Sequence, residues 1–168
     1  MSDLFWLRDQ PPAFLAEAGR KTIEAIQKLI PDAEVYEVGS TAVPGAIGKQ
    51  DIDVLVSVPS HLFQSAQAIL DAAYARDLQQ FSSADYQGYC VSVDPDIKVQ
   101  FTVMGSRYDR FLPFLEALRS DPKLLKRYNR LKLRWNGRPM IEYRKAKARF
   151  IEAVLSSSVK ERGDGVNS

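Results

Sequence analysis

The sequence predicts an α+β fold, and three observations carry that expectation. Amphipathic helical stripes and short strands follow one another in the order α, β, β, α, β, β, α, α, α. The strands come in pairs set apart by Gly, Pro and Asp, and everything after Gly105-Ser106 is helical in pattern. At 168 residues the chain suits one domain with a real hydrophobic core, and 45% hydrophobic with 26% charged residues is the balance of a folded chain. One domain is expected over residues 1–155, and residues 156–168, which lack periodicity, are expected to form a flexible tail.

Each element rests on its own pattern. Between Pro12 and Ile30, Leu15, Ala18, Thr22, Ile26 and Leu29 fall on one helical stripe that Pro31-Asp32 ends. Glu34 to Val38 alternates as a short strand broken at Gly39, and Thr41 to Gly48 reads as a loop or at most one helical turn. In Asp51 to Val58, Ile52, Val54, Val56 and Val58 point one way, with Asp51, Asp53, Leu55 and Ser57 pointing the other. A helix follows Pro59-Ser60, with Phe63, Ala66, Ile69, Leu70 and Ala73 as its apolar positions. Tyr86 to Val93 and Ile97 to Met104 form a hairpin around Asp94-Pro95-Asp96. The clean alternation of the second strand predicts a sheet covered on one face only. Helices are then expected over residues 109–119, 122–135 and 140–155.

Composition narrows the function classes. Cys90 is the single cysteine, which excludes an internal disulfide or a multi-cysteine zinc site, and it reads as a core residue. His61, the single histidine, sits at a helix start where capping or exposure explains it. No run approaches the roughly 18 uncharged apolar residues of a membrane span, and MSDLFWLRDQPP lacks the pattern of a signal peptide, so a cytoplasmic protein without membrane association is expected. Residues 119–149 hold twelve Lys or Arg against only Asp121 and Glu142, within a chain of net charge +2. Such a split suits a polyanionic partner, a nucleotide phosphate or RNA, although a solvated helical face accounts for it equally well. Tyr128, Trp135, Tyr143 and Phe150 are interleaved with these charges, and helix packing explains them better than base stacking does.

The chemistry-bearing segment lies around two aspartates. At a spacing of two on a strand, Asp51 and Asp53 project side by side, an arrangement that suits Mg²⁺, or Mn²⁺ in its place, held by one or two carboxylates plus substrate phosphates. A solvated edge strand is the plain alternative. Just upstream, Gly39 can bring the backbone against an anion, the amide and hydroxyl of Ser40 can donate to phosphate oxygens, and Thr41 adds a further hydroxyl. A strand-ending turn with an Ser40 cap is the competing explanation. The two motifs together are more specific than either alone.

With these residues in view, VGSTAVPGAIGKQDIDVLV resembles the signature of the GrpB family within the nucleotidyltransferase superfamily. PFLEALRSDPKLLKRYNRLK and EYRKAKARFIEAVL are similar to its C-terminal helical pattern. The resemblance implies a nucleotidyltransferase-like mixed β-sheet flanked by helices. It also implies phosphate contacts from Gly39 and Ser40, metal binding by Asp51 and Asp53, and transfer of a nucleoside monophosphate from a nucleoside triphosphate to an acceptor hydroxyl. Lys132 and Lys147 fall on family-like positions for phosphate, ahead of Arg144 and Lys145. The chain departs from the pattern in three places. Asp51 stands where many GrpB-like sequences have an apolar residue. The later strand reads Asp96, Lys98, Gln100 on its polar face, where histidines are frequent, so only Asp96 is available as a third, proton-accepting acid. Phe114-Leu115-Glu116 replaces a frequent Phe-Arg-Asp. A nucleotide-binding or interaction protein that keeps the fold without turnover therefore stands beside the enzyme as an alternative.

Overall fold

Seven hydrogen-bonded pairs in register, from Ile52↔Ile97 to Val58↔Val103, join the two central strands in parallel, and the rest of the architecture is laid around them. The computed structural model describes residues 3–163. In chain order the elements are β1 (Leu4–Phe5), α1 (Leu15–Leu29), β2 (Glu34–Val38), β3 (Ile52–Val58), α2 (Phe63–Ala73), β4 (Ala75–Arg76), β5 (Ser82–Ser83), β6 (Tyr86–Val93), β7 (Asp96–Val103), α3 (Phe111–Ser120), α4 (Pro122–Trp135), β8 (Arg138–Pro139) and α5 (Met140–Gly163). One 3₁₀ turn, Ser40–Ala42, lies between β2 and β3, and another, Ser60–Leu62, leads into α2.

The main sheet runs β2-β3-β7-β6-β4, with β5 also on β6; β3–β7 is its parallel pair and the other pairings are antiparallel. This is the mixed sheet with flanking helices that the sequence predicts. Alternation assigns the faces. Ile52, Val54 and Val56 of β3 and Ile97, Val99 and Phe101 of β7 pack with Ile26 of α1 and Leu70 of α2, and Phe63 stacks on Phe101 at 4.4 Å between centroids. On the opposite face Val38 and Leu55 pack against Phe114, Leu118, Tyr128 and Val154 from α3, α4 and α5.

The helices obey local chemistry. Asp121 caps α4, accepting from Lys123 N at 2.9 Å and Leu124 N at 3.2 Å, with Pro122 in the first turn where a missing N–H costs nothing.

Several expectations need correction. Helices cover the second face of the sheet in part, so Gln100 and Thr102, on the polar side of β7, are buried rather than solvated. Asp51 and Asp53 do not lie on an edge strand, since β3 is flanked by β2 and β7. Cys90 is half-buried on β6 beside a bulge rather than in the core. Helix α5 continues to Gly163, beyond the expected end at Leu155, because the C-terminal stretch has helical backbone without an apolar stripe to announce it; the rest of the expected tail, residues 164–168, lies outside the described residues. His61 is exposed, as expected. Strands β1 and β8, too short to leave a periodic pattern, pair with each other and tie the N-terminus to the α4–α5 connection. No helix among the described residues is long and apolar enough to cross a membrane.

Leu70, fully buried in the first layer, tests the packing. Leu70→Ala should lower unfolding free energy by about 2–5 kcal/mol in urea denaturation, whereas Leu78→Ala, at a side chain 92% exposed, should stay within about 0.5 kcal/mol.

Candidate active site

Between the uncovered part of the second sheet face and helices α3 to α5 lies a cleft of about 410 Å³. Its floor includes Asp53 from β3 and Lys98 and Gln100 from β7. Tyr128, Tyr143 and Lys147 stand on the helical wall.

The acidic end is built by β3 and the loop before it. Gly39 ends β2 with φ +81°, a conformation that disfavours any side chain, and a Cβ placed there would come within 2.9 Å of Asp53 Oδ2. The backbone therefore approaches the carboxylate because residue 39 is glycine. Asp51 stands two residues before Asp53 and forms an ion pair with Lys49 at 3.1 Å, and Lys49 reaches Asp96 at 3.9 Å. Gln100 Nε2 donates to Asp53 Oδ1 at 3.2 Å.

Charge is concentrated here. Burial, reinforced by the negative charge of Asp51, raises the Asp53 carboxyl above the ordinary range against the opposing pull of Lys147, Gln100 and Lys49. Asp96 is raised by burial and by Asp51, with Lys49 opposing. Lys147 is held charged by the Tyr128 oxygen, then against burial by Tyr143, Asp53 and Asp51. A pair of carboxylates this close, one resisting ionisation, has the chemistry of a site for a hard cation. Asp51 and Asp53 are the residues that could hold one such ion. Among the described residues no group of three or more His, Cys, Asp or Glu comes together to hold a metal by itself.

The predicted residues divide into two sets. Gly39, Asp51, Asp53 and Lys147 all line the cleft. Asp96, the first residue of β7, lines a smaller adjoining cavity of about 270 Å³ together with Lys49 and Asp51. Ser40, half-buried in the 3₁₀ turn, and Thr41, whose Oγ1 donates to Glu37 Oε1 at 2.9 Å and lies 3.3 Å from Asp51 O, shape the loop from behind the wall. Lys132 is not on the cleft surface. It is 2% exposed, its Nζ donating to Ile47 O at 2.6 Å over the Tyr128 ring. Tyr128, Tyr143 and Phe150 pack with their neighbours as expected, Tyr128 stacking on Phe150 at 5.4 Å and Tyr143 on Phe5 at 3.8 Å.

Sequence reasoning did not find the site roles of Lys49, Gln100 and Tyr86. Lys49 had a signal in its place within the loop motif, whereas the other two come to Asp53 only through strand pairing. Tyr86 Oη donates to Gln100 Oε1, and burial and then Asp53 keep the phenol protonated well above its ordinary range.

A sequence profile of the family described as GrpB protein matches residues 9–157. The chain belongs to the GrpB family. Among relatives of this GrpB chain, the UPF0157 protein VC_A0354 of Vibrio cholerae serotype O1 is 30% identical over 155 residues, covering 92% of the chain and 82% of that protein. The crystal structure of the conserved protein GrpB from Enterococcus faecalis, 19% identical, superposes with a TM-score of 0.65 over 90% of this chain and 96% of that one, so the two share a fold. A partial likeness, TM-score 0.47 at 16% identity, joins 70% of the GrpB chain to 48% of the STING-associated CdnE c-di-GMP synthase from Capnocytophaga granulosa.

The buried lysine gives a pH prediction. Burial, and then the charge of Lys147, lower Lys132 from 10.5 to about 7. Between those values the unfolded chain binds more protons at this residue than the folded one, so the penalty on the fold is full below pH 7 and relieved as pH rises. The stability margin of wild type over Lys132→Met should widen between pH 7 and 9, by up to about 1.4 kcal/mol per pH unit. Urea titrations at the two pH values read this directly, and a narrowing margin would contradict a suppressed ammonium.

Proposed function

We propose that this GrpB protein is a Mg²⁺-dependent nucleotidyltransferase, moving a nucleoside monophosphate from a nucleoside triphosphate to an acceptor hydroxyl with release of pyrophosphate. The juxtaposition of the Gly39 backbone with the Asp53 carboxylate, in one cleft with Asp51 and Lys147, carries the reading. At about 410 Å³ the cleft is of a size that small-molecule sites use.

Each group then has a task. The turn at Gly39 and Ser40 presents backbone N–H groups to phosphate oxygens, as oriented amides do in anion sites. Lys147 and Lys49 offset the charge of the phosphates, Lys49 being freed from Asp51 as the nucleotide enters. Asp51 and Asp53 would hold the metal, and Mg²⁺, or Mn²⁺, when bound, supplies charge neutralisation at the phosphates. In the transfer, the acceptor oxygen bonds to the α-phosphorus as the bond from that phosphorus to the bridging oxygen breaks, and pyrophosphate departs with the electron pair. Asp96 takes the acceptor's proton, the acceptor entering through the smaller cavity that Asp96, Lys49 and Asp51 line. An RNA end is one acceptor that the basic stretch over residues 119–149 would suit. Use of nucleoside triphosphates also fits a cytoplasmic setting.

One observation favours a second reading, in which the protein binds nucleotide without turning it over. The residue of β7 that touches Asp53 is Gln100, an amide with no base to offer.

Transfer of label from α-labelled nucleoside triphosphates separates the two. The enzyme reading expects Mg²⁺-dependent transfer that falls to background in Asp51→Ala and Asp53→Ala. Nucleotide binding with no transfer in wild type would sink it. Asp96→Asn should slow transfer by roughly 10²–10⁴, the usual worth of a positioned base, with nucleotide affinity unchanged; an undiminished rate would remove Asp96 from the role.

A further inference from the structure

The end of the cleft away from the aspartates is aromatic and unusually well braced. It is carried by the stretch from Asp77 to Phe81, between β4 and β5. Asp77 N donates to Gly88 O at 2.9 Å, Lys98 Nζ donates to the buried Asp77 Oδ2 at 3.2 Å, and Gln79 N donates to Asp77 Oδ1 at 3.1 Å. Just beyond, Ser82 Oγ donates to Gln87 Oε1 at 2.7 Å. What this bracing holds in place is Phe81, whose ring is 51% exposed and faces the cleft. A phenylalanine fixed half in water serves no core, and a rigid exposed ring lowers the entropy cost of binding a flat partner.

Phe81 stacks on Tyr86 with centroids 4.6 Å apart and planes 23° from parallel, and Tyr108 tilts against both rings at 4.9 and 5.5 Å. Gln80, next in the chain, also lines the cleft. Its side chain lies across Gly88, where an added Cβ would stand 3.1 Å from Gln80 Cγ and 3.2 Å from Gln80 Cβ. Its Oε1 accepts a long hydrogen bond from Tyr86 Oη at 3.4 Å, and its Nε2 carries two N–H donors beside a π-face. A single residue connects this end to the other: Gln100 accepts from Tyr86 Oη and donates to Asp53 Oδ1 at 3.2 Å. The aromatic and acidic ends are thus linked through one amide and two hydrogen bonds along the floor of one cleft.

We infer that Phe81 and Tyr108 form the platform on which the base of the bound nucleotide stacks, with Gln80 reading the base edge. The inference rests on the nucleotide reading above. A planar heteroaromatic ring uses both features at once, its face on the aromatic rings and its edge on the amide. An aliphatic or purely anionic ligand would use neither.

Calorimetric titration of the full chain in Mg²⁺, with each of the four nucleoside triphosphates and with inorganic tripolyphosphate, tests this. At least one nucleoside triphosphate should bind wild type more tightly than tripolyphosphate does. Phe81→Ala and Phe81→Leu, the second retaining apolar bulk over Tyr86, should each weaken that nucleotide roughly five- to a hundredfold, the effect of losing one base–aromatic stack, and leave tripolyphosphate unchanged. Phe81→Trp should restore binding. Equal affinities for nucleotide and tripolyphosphate in wild type, or nucleotide affinity unmoved in both Phe81 variants, would overturn the platform while the phosphate reading stands. If tripolyphosphate fails to bind but a free nucleoside binds and is lost in Phe81→Ala, the platform stands and the phosphate reading falls. Binding of none of these ligands would overturn both.

Discussion

The loop between β2 and β3 depends on side chains from the helical layer, because it has no ladder of its own to satisfy its backbone. Arg119 Nε and Nη2 donate to Ala42 O at 3.1 and 2.7 Å, Asn129 Nδ2 donates to Gly45 O at 2.9 Å while its Oδ1 accepts from Ile47 N at 3.1 Å, and Lys132 donates to Ile47 O. The loop is only part-buried, and these contacts satisfy its backbone groups and fix the path of the chain from Gly39 to Gly48. Arg8 N adds a further bond, to Gly48 O at 3.0 Å. Everything at the acidic end inherits its position from this clamp. The Gly39 backbone lies against Asp53, and Lys49 is delivered to Asp51, because the loop has no freedom to carry them elsewhere.

The clamp has an electrostatic cost. Lys132 gives up water for one carbonyl and the face of Tyr128, with Lys147 close enough to disfavour its charge. Lys147 is in the opposite situation, kept charged first by the Tyr128 oxygen and then by Tyr143 and the two aspartates. Two lysines with opposite shifts thus divide the work, one bracing the loop as an amine whose charge burial disfavours and the other supplying positive charge to the cleft. This pattern also explains why a basic C-terminal region need not be a uniform phosphate surface: the charges in residues 119–149 have different burial and different partners.

The cleft owes its existence to incomplete coverage of the sheet. Helices α3 to α5 pack on Val38 and Leu55 and leave Asp53, Gln100 and Tyr86 to line the cleft. The N-terminal strand β1 helps set that geometry from the far side, pairing with β8 and stacking Phe5 on Tyr143, so the start of α5, which presents Lys147 about two turns further on, is fastened at its base. Polar residues on β7 that would be solvated in a one-sided sheet become the floor of a site.

The sequence by itself determined the longer elements and one end of the site. Period-two alternation in Ile52–Val58 and Ile97–Val103 sets which side chains share a face, the 3.6-residue stripes of α1 and α2 set what covers one of them, and Gly39, Asp51 and Asp53 carry their geometry in the local chain, as positive φ and strand alternation are local properties. Only the tertiary structure decided the rest. Gln100 reaches Asp53 through a parallel pairing across 47 residues, and Phe81, Tyr86 and Tyr108 meet through loop bracing that leaves no periodic mark. Lys132 and Lys147 are alike as residues in a basic stretch, and only their packed partners separate the brace from the cleft lysine. Pairing across a sheet and burial between layers are long-range consequences of packing, and a linear pattern records them only where one side of the contact is itself periodic.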